Sequence, residues 1–282
     1  MKNLKNKSII SICIILAISC LSCTDHKGKS NLIDFSEISS INNKTPILVA
    51  HRGGVVTDQS PECSIAAIEL AKQKDYSMIE LDIRQSKDQV PVVFHDNNLG
   101  KACGINKSIG DLTAEEIVNI AYVNTDQTIC TLDQALNVCH SLKLGIMLDV
   151  KIKGDEKFFQ KIVALIKKHG LENSCITING EPELRKHLKE IALLTVTRDE
   201  FKKVQEGLAC DLSHKFWFGL PQQLPSQMVK LLQQNGALVI PAINTFRYPV
   251  EGHYELAYKD IQRLNEAGVD GYQIDSVYGP LF

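Results

Sequence analysis

Ile47-Leu48-Val49-Ala50-His51-Arg52-Gly53-Gly54 is the stretch on which the fold turns. Four apolar residues run straight into a histidine, an arginine and two glycines, which reads as a short buried strand ending in charged groups at a tight turn. The same pattern recurs at Met78-Ile79-Glu80-Leu81-Asp82-Ile83 and at Gly145-Ile146-Met147-Leu148-Asp149-Val150-Lys151. Side chains alternate along a strand, so Glu80 and Asp82 share one face while Ile79, Leu81 and Ile83 share the other. Asp149 and Lys151 are paired on one face in the same way.

Outward from this stretch, β-rich runs lie at 47–51, 78–83, 145–151, 174–178, 192–196, 215–219, 237–240 and 269–275, with an extra short strand at 92–95. Amphipathic helical patterns fill 63–74, 157–169, 182–190, 226–235 and 260–267. Gly170, Gly236 and Gly268 stand where a left-handed residue would stop three of them. Strand and helix alternate eight times over about 235 residues, which predicts an α/β fold of the (β/α)8 TIM-barrel type, ordinarily ~250 residues. An open doubly wound sheet is the competing arrangement. The segment 96–131 is too long for a plain βα loop and predicts a small insertion after the second strand, standing over the barrel mouth.

The ends of the chain carry separate signals. Lys2, Lys5 and Lys7 precede an apolar run from Ile9 to Ile18, too short for the ~20 residues of a spanning helix, and residues 1–22 read as a lipoprotein-type signal peptide. Cys20 fits the position of a lipidated cysteine better than Cys23, and both stay open. Residues 23–45 are polar and read as a tether, leaving the barrel at 46–282. The expected location is periplasmic or cell-surface, through a lipid anchor on a bacterial membrane.

The whole chain has 282 residues and a formal charge of −2, which becomes −5 once the three signal lysines are removed. Such a surface offers no basic field to a nucleic-acid backbone, and that class of partner is excluded. Nine cysteines show neither disulfide-scaffold nor zinc-finger rhythm. Buried thiols are the expectation for most of those in the folded part, with Cys103 and Cys130 a candidate disulfide. His-x-His, His-Glu-x-x-His, Gly-x-Ser-x-Gly and a phosphate-binding glycine loop are all missing.

Chemistry in a TIM barrel sits where the strands end. Three carboxylates there, Glu80, Asp82 and Asp149, cannot converge without a compensating charge, and an all-oxygen donor set favours Mg²⁺ or Ca²⁺ over zinc. Arg52 and Lys151 then serve as binders of an anion resting on that cation.

The order His51-Arg52-Gly53-Gly54, Pro61-Glu62-Cys63-Ser64, Ile79-Glu80-Leu81-Asp82, Val93-Phe94-His95-Asp96, Thr131-Leu132-Asp133-Gln134-Ala135-Leu136, Asp149-Val150-Lys151 and Gly268-Val269-Asp270-Gly271 resembles the glycerophosphodiester phosphodiesterase family. The resemblance implies a metal-dependent phosphodiesterase that splits glycerophosphodiesters into glycerol 3-phosphate and an alcohol. It assigns His51 and His95 as the acid–base pair and Glu80, Asp82 and Asp149 as ligands of one divalent cation. Arg52, Lys151 and Glu62 then bind substrate.

Several positions depart from the family pattern. Cys63-Ser64 replaces Asn-Thr, Asp149 replaces the usual Glu, Pro241-Ala242-Ile243-Asn244 replaces Trp-Thr-Val-Asn, and Gln273-Ile274-Asp275 replaces Ile-Thr-Asp. These changes point to an altered alcohol-facing wall around Cys63, Pro241 and Ile274, with Tyr248, Tyr254 and Tyr258 as further candidate contacts. Trp217 and Phe218 read as barrel packing. Two alternatives stay open: a phospholipase-type enzyme of the sphingomyelinase D or phosphoinositide kind, and a non-catalytic surface-binding lipoprotein. The first needs an apolar loop at the mouth, where 117–123 is the apolar patch of the insertion.

Overall fold

The computed structural model describes residues 32–36, 38, 41, 45–153 and 156–282; the signal segment with Cys20 and Cys23 lies outside them. In chain order the strands are β1 Ile47–Ala50, β2 Met78–Gln85, β3 Pro91–Val93, β4 Cys130–Thr131, β5 Gly145–Val150, β6 Cys175–Thr177, β7 Leu193–Thr195, β8 Lys215–Trp217, β9 Leu238–Val239, β10 Ala242–Ile243 and β11 Gly271–Ile274. The α-helices are α1 Ile65–Gln73, α2 Gly100–Cys103, α3 Ala114–Ile117, α4 Leu132–Leu142, α5 Glu156–Lys168, α6 Pro182–Leu188, α7 Arg198–Gln205, α8 Ser226–Gln234 and α9 His253–Ala267. None is long and apolar enough to cross a membrane.

Parallel pairing runs β10-β11-β1-β2-β5-β6-β7-β8-β9, so the first and last members of the path are neighbours in the chain. β9 and β10 are two halves of one barrel strand, interrupted at Ile240-Pro241. Val239 pairs with Trp217 on one side, and Ala242 pairs with Gln273 on the other. Proline has no N–H to give the ladder, which is why the strand is counted in two pieces. The break is bridged: the Ile240 N–H donates to the Trp217 carbonyl, and the Pro241 carbonyl accepts from the Gln273 N–H, both at 3.0 Å. The sheet closes as a TIM barrel of eight parallel strands, as the alternation predicted. The sequence reading ended this strand at 240, before its second half.

Alternation sorts the side chains as expected. Val49, Met78, Met147, Ile176, Leu193, Phe216 and Leu238 pack together inside the barrel, while Ile79, Leu81, Ile83, Ile146 and Leu148 pack outward against the helices. On that inner face Glu80 and Asp82 follow Met78, and Asp149 follows Met147, so the carboxylates stand above the apolar interior at the carboxyl end. α5 shows the matching helical logic: Phe158, Phe159, Ile162 and Ile166 form its buried stripe. Thr131 and Gln134 start α4 with a reciprocal capping box.

The insertion is held by an antiparallel extension, β2 to β3 to β4, and has its own small core of Phe94, Leu99, Ile109, Leu112, Ile117, Tyr122 and Ile129. Among the large apolar side chains of the patch 117–123 only Val123 is largely exposed, at 48%. α9 begins seven residues before the expected 260, because Tyr254, Leu256 and Tyr258 on its first turns face solvent and hide the apolar period. All six described cysteines are free thiols, which corrects the candidate pairing of Cys103 with Cys130.

The tether needs a larger correction. Phe35 is 2% exposed and packs with Ile47, Met78 and Met147 inside the barrel. Its N–H donates to the Asn173 carbonyl at 2.6 Å, and Ser174 Oγ donates to the Ile33 carbonyl at 2.5 Å. Ile33 and Phe35 alternate within a polar stretch, a signal too short to register as a strand. Residues 33–35, assigned to the tether by the sequence reading, therefore pack with the barrel. Phe35→Ala should cost about 3–5 kcal/mol by opening a cavity in the barrel floor, read as a lowered urea midpoint with an unchanged slope.

Candidate active site

The turn after β1 sets the site's geometry. Arg52 adopts a left-handed conformation (φ 53°, ψ 47°), followed by Gly53 and Gly54 at φ 78° and 140°. A Cβ on Gly53 would sit 2.6 Å from Cys63 Cα, and one on Gly54 would sit 2.1 Å from the Ala67 carbonyl oxygen. Close backbone approach, as well as positive φ, is what the two glycines permit. The strained arginine is held at both ends of its peptide: its N–H donates to Glu80 Oε2 at 2.7 Å, and its carbonyl accepts from the Cys63 N–H at 2.9 Å. Its guanidinium then swings to Glu62 Oε2, 2.8 Å away.

Glu80, Asp82 and Asp149 each bring one carboxylate oxygen within 4.8 Å of the others. β2 and β5 enforce this by pairing Asp82 directly with Asp149. Lys151 Nζ lies 2.9 Å from Asp82 Oδ1 and 2.5 Å from Asp149 Oδ2. Burial and the two neighbouring carboxylates push the Glu80 carboxyl well above its ordinary range. One lysine offsets one of three negative charges, so the cluster falls short by two positive charges. Asp82 Oδ1 is buried and accepts no hydrogen bond, its lysine contact lying off a good donor line. An all-oxygen cluster with a two-charge deficit and an orphaned buried oxygen fits a hard divalent cation.

Each histidine is backed by a carboxylate. His51 Nδ1 is 2.5 Å from Asp275 Oδ1, and His95 Nδ1 is 2.7 Å from Asp96 Oδ1. These contacts assign Nδ1–H as donor in both rings and leave each Nε2 to exchange protons. The Asn244 amide, 3.3 Å from His51 Nδ1, instead gives its proton to Gln273 Oε1 at 3.2 Å. Asp275 Oδ2 accepts from the Thr245 N–H at 2.6 Å and Oγ1 at 2.7 Å. Burial alone would raise the Asp275 carboxyl, but the bonds from His51 and Thr245 outweigh it and hold it below its ordinary value. The His95 bond does the same for Asp96.

A cavity of about 330 Å³ at the mouth is lined by both histidines, Arg52, Glu80, Asp149 and Lys151. Asp82 lies buried beneath it. Glu62 faces an adjoining cavity of about 310 Å³ shared with His51 and Asp275. The remaining wall of the first cavity is Ile178, Phe218, Gly219, Leu220, Gln223, Ala242, Asn244, Phe246, Arg247 and Gln273.

This wall corrects several expectations. Cys63, Pro241 and Ile274 do not line it: Ile274 points outward to the helices, and Cys63 is buried with its thiol donating to Asp82 Oδ2 at 3.6 Å. Cys63 has φ 62°, a left-handed conformation that asparagine tolerates better. Tyr248 donates to Asp260 at 3.0 Å, while Tyr254 and Tyr258 sit on α9. All three stand away from the mouth, and Phe246 and Arg247, from the turn after β10, take the place expected of them. Phe218 lines the cavity, whereas Trp217 packs outward against Phe201.

Sequence reasoning gave no role to Asp275, Asp96, Thr245 or Asn179, whose amide donates to Asp149 Oδ1 at 3.3 Å. Asp275 ends the last strand, so the strand-end rule could have found it. Thr245 and Asn179 lie in loops and left no such signal.

The glycerophosphoryl diester phosphodiesterase family model matches residues 51–206. Mouse glycerophosphodiester phosphodiesterase 1 is 35% identical over 115 residues, a match covering 38% of this chain and 34% of that protein, so the matched stretch spans about a third of the relative's length. A glycerophosphodiester phosphodiesterase of Caldanaerobacter subterraneus is 25% identical over 250 residues, covering 81% and 93% of the two chains. Among solved structures, a Parabacteroides distasonis glycerophosphoryl diester phosphodiesterase superposes with TM-score 0.68 at 20% identity, over 88% of this chain and 90% of that one. An Oleispira antarctica phosphodiesterase, solved with the product sn-glycerol-3-phosphate, gives 0.64 at 19%, over 84% and 96%.

Because the Asp275 carboxyl titrates below its unfolded value, its stabilisation is complete above that value and is lost as pH falls through the native one. The stability gap between wild type and Asp275→Asn should therefore be widest near neutrality and close in acid, measured by urea titration from pH 7 to pH 3.

Proposed function

The chain belongs to the glycerophosphoryl diester phosphodiesterase family, and from that premise we propose that it hydrolyses glycerophosphodiesters to glycerol 3-phosphate and an alcohol, with one Mg²⁺ or Ca²⁺ held by Glu80, Asp82 and Asp149. The observation that carries this reading is the mouth cavity shared by two histidines, the carboxylates of Glu80 and Asp149, and the cationic Arg52 and Lys151, with Arg247 on its outer wall. The Oleispira relative's bound product supports the choice of substrate.

The cation, when bound, neutralises the carboxylates and polarises a phosphoryl oxygen. The protein's own residues do the rest. A phosphodiester is a monoanion, and Arg52 and Lys151 receive its non-bridging oxygens as charge builds on them. Glu62 keeps the Arg52 guanidinium oriented. One histidine takes a proton at Nε2 from the attacking oxygen as its bond to phosphorus forms. The other gives a proton from Nε2 to the departing alkoxide as that bond breaks. Asp275 and Asp96 fix the tautomer and orientation of each ring. The same pair serves whether the attacker is water or the substrate's own glycerol hydroxyl; the second route yields a cyclic phosphate that water then opens.

Two competing readings lose support. A phospholipase needs an apolar loop at the mouth, yet Ile117 and Tyr122 of the apolar patch are buried in the insertion's own core. A binding protein would have no need of two oriented histidines. The amino-terminal signal supports export and lipid anchoring, and loss of palmitate labelling in Cys20→Ser or Cys23→Ser would identify the anchored residue.

Purified protein with Mg²⁺ or Ca²⁺ should release glycerol 3-phosphate from glycerophosphodiesters, and EDTA should abolish it. His51→Ala or His95→Ala should lower kcat by about 10²–10⁴. Asp275→Asn should lower kcat by about 10²–10³ with KM little changed, because it acts through His51. Release that survives both EDTA and His51→Ala would overturn the reading.

A further inference from the structure

Arg247 is a cation at the mouth with nothing acidic to hold it. Of the cationic groups around the cavity, Arg52 is paired with Glu62 and Lys151 with Asp82 and Asp149. Arg247 makes no ion pair and no side-chain hydrogen bond among the described residues. Its guanidinium carbon instead lies 4.3 Å from the centre of the Phe246 ring. That ring is 57% exposed and stands 6.1 Å from the His51 ring, so the pair borders the place where the scissile bond must lie.

The arrangement bears on the charge of the alcohol. A quaternary ammonium is best received by an open aromatic face backed by a carboxylate. Here the aromatic ring beside His51 already carries a guanidinium on one of its faces. The neighbouring wall, Phe218, Gly219, Leu220, Gln223 and Ala242, contains no acid. A cationic alcohol would meet an uncompensated positive charge, whereas an anionic one would meet five N–H donors with no competing partner.

We propose that Arg247, laid over Phe246, selects glycerophosphodiesters whose alcohol carries an anionic group, such as a second phosphate, and disfavours cationic alcohols such as choline. This rests on the phosphodiesterase reading above and adds the substrate class to it. Arg247 is solvent-exposed, so its effect is screened by salt.

The test compares kcat/KM for glycerophosphoinositol 4-phosphate, glycerophosphoinositol and glycerophosphocholine in wild type, Arg247→Gln and Arg247→Glu. In wild type the order should be phosphorylated, then neutral, then cationic, with about three- to tenfold per step at low salt and less at high salt. Arg247→Gln should bring the three within about twofold of one another, and Arg247→Glu should place choline ahead of the phosphorylated substrate. A wild type that favours choline, or an order that Arg247→Gln leaves intact, would overturn the selection while leaving the phosphodiesterase standing. No hydrolysis of any of the three by wild type would overturn both.

Discussion

Three carboxylates forced into one another's company, two of them buried and the third half-buried, are the constraint around which the molecule is arranged. Glu80, Asp82 and Asp149 sit on two adjacent parallel strands in direct register, above a wholly apolar barrel interior. Like charges at such range repel strongly where water is excluded. The surroundings answer that repulsion group by group. Lys151 reaches between two of the acids, the Arg52 N–H is turned onto the third at the cost of a left-handed backbone, and the Cys63 thiol touches Asp82. The residual charge deficit is what makes the cluster suited to a divalent cation, and the same cation would give a phosphate its seat. Strain, charge pairing and ligand affinity have one origin here.

The parts of this arrangement that lie on strands were legible in the sequence. Period-two alternation placed Glu80, Asp82 and Asp149 on inward faces, and the barrel could be counted from its apolar runs. Histidines 51 and 95 stood out because they end such runs. What stayed hidden belongs to contacts between distant segments. Asp275 meets His51 across 224 positions of chain, and Thr245 and Asn179 act from loops with no period to betray them. Phe35 was hidden differently, as one aromatic in a polar stretch whose burial depends on the open floor of a barrel not yet built. The tyrosines after the seventh strand misled because loop proximity in sequence does not say which way α9 will face.

The departures from the family pattern acquire distinct meanings once placed. Cys63 occupies a left-handed position beside Asp82, so its change from asparagine concerns the acidic cluster rather than the substrate wall. Pro241 lies at the interruption between β9 and β10, where its carbonyl still accepts from the Gln273 N–H. Of the altered motifs, Asp149 faces the cavity from the acidic cluster, and Ala242, Asn244 and Gln273 face it from the outer wall, joined by Phe246 and Arg247 just beyond. The two sides of the cavity are thereby separated along the chain: the acidic cluster, both histidines, Arg52 and Lys151 fall between residues 51 and 151, while most of the outer wall comes from 218 to 273.

That separation has a consequence for how the protein comes into being on the ribosome. His51 emerges early, but the carboxylate that orients it is carried by the last barrel strand, which must add itself between β10 and β1. Until that strand seats, the histidine has no fixed tautomer and the barrel has no seal. A nascent or proteolytically shortened chain would hold the acidic cluster, Arg52 and Lys151, and His95 with its own Asp96, and still leave His51 without the carboxylate that fixes it. The setting of His51 thus arrives together with the seating of β11, so the first strand's histidine and the closure of the sheet are one event.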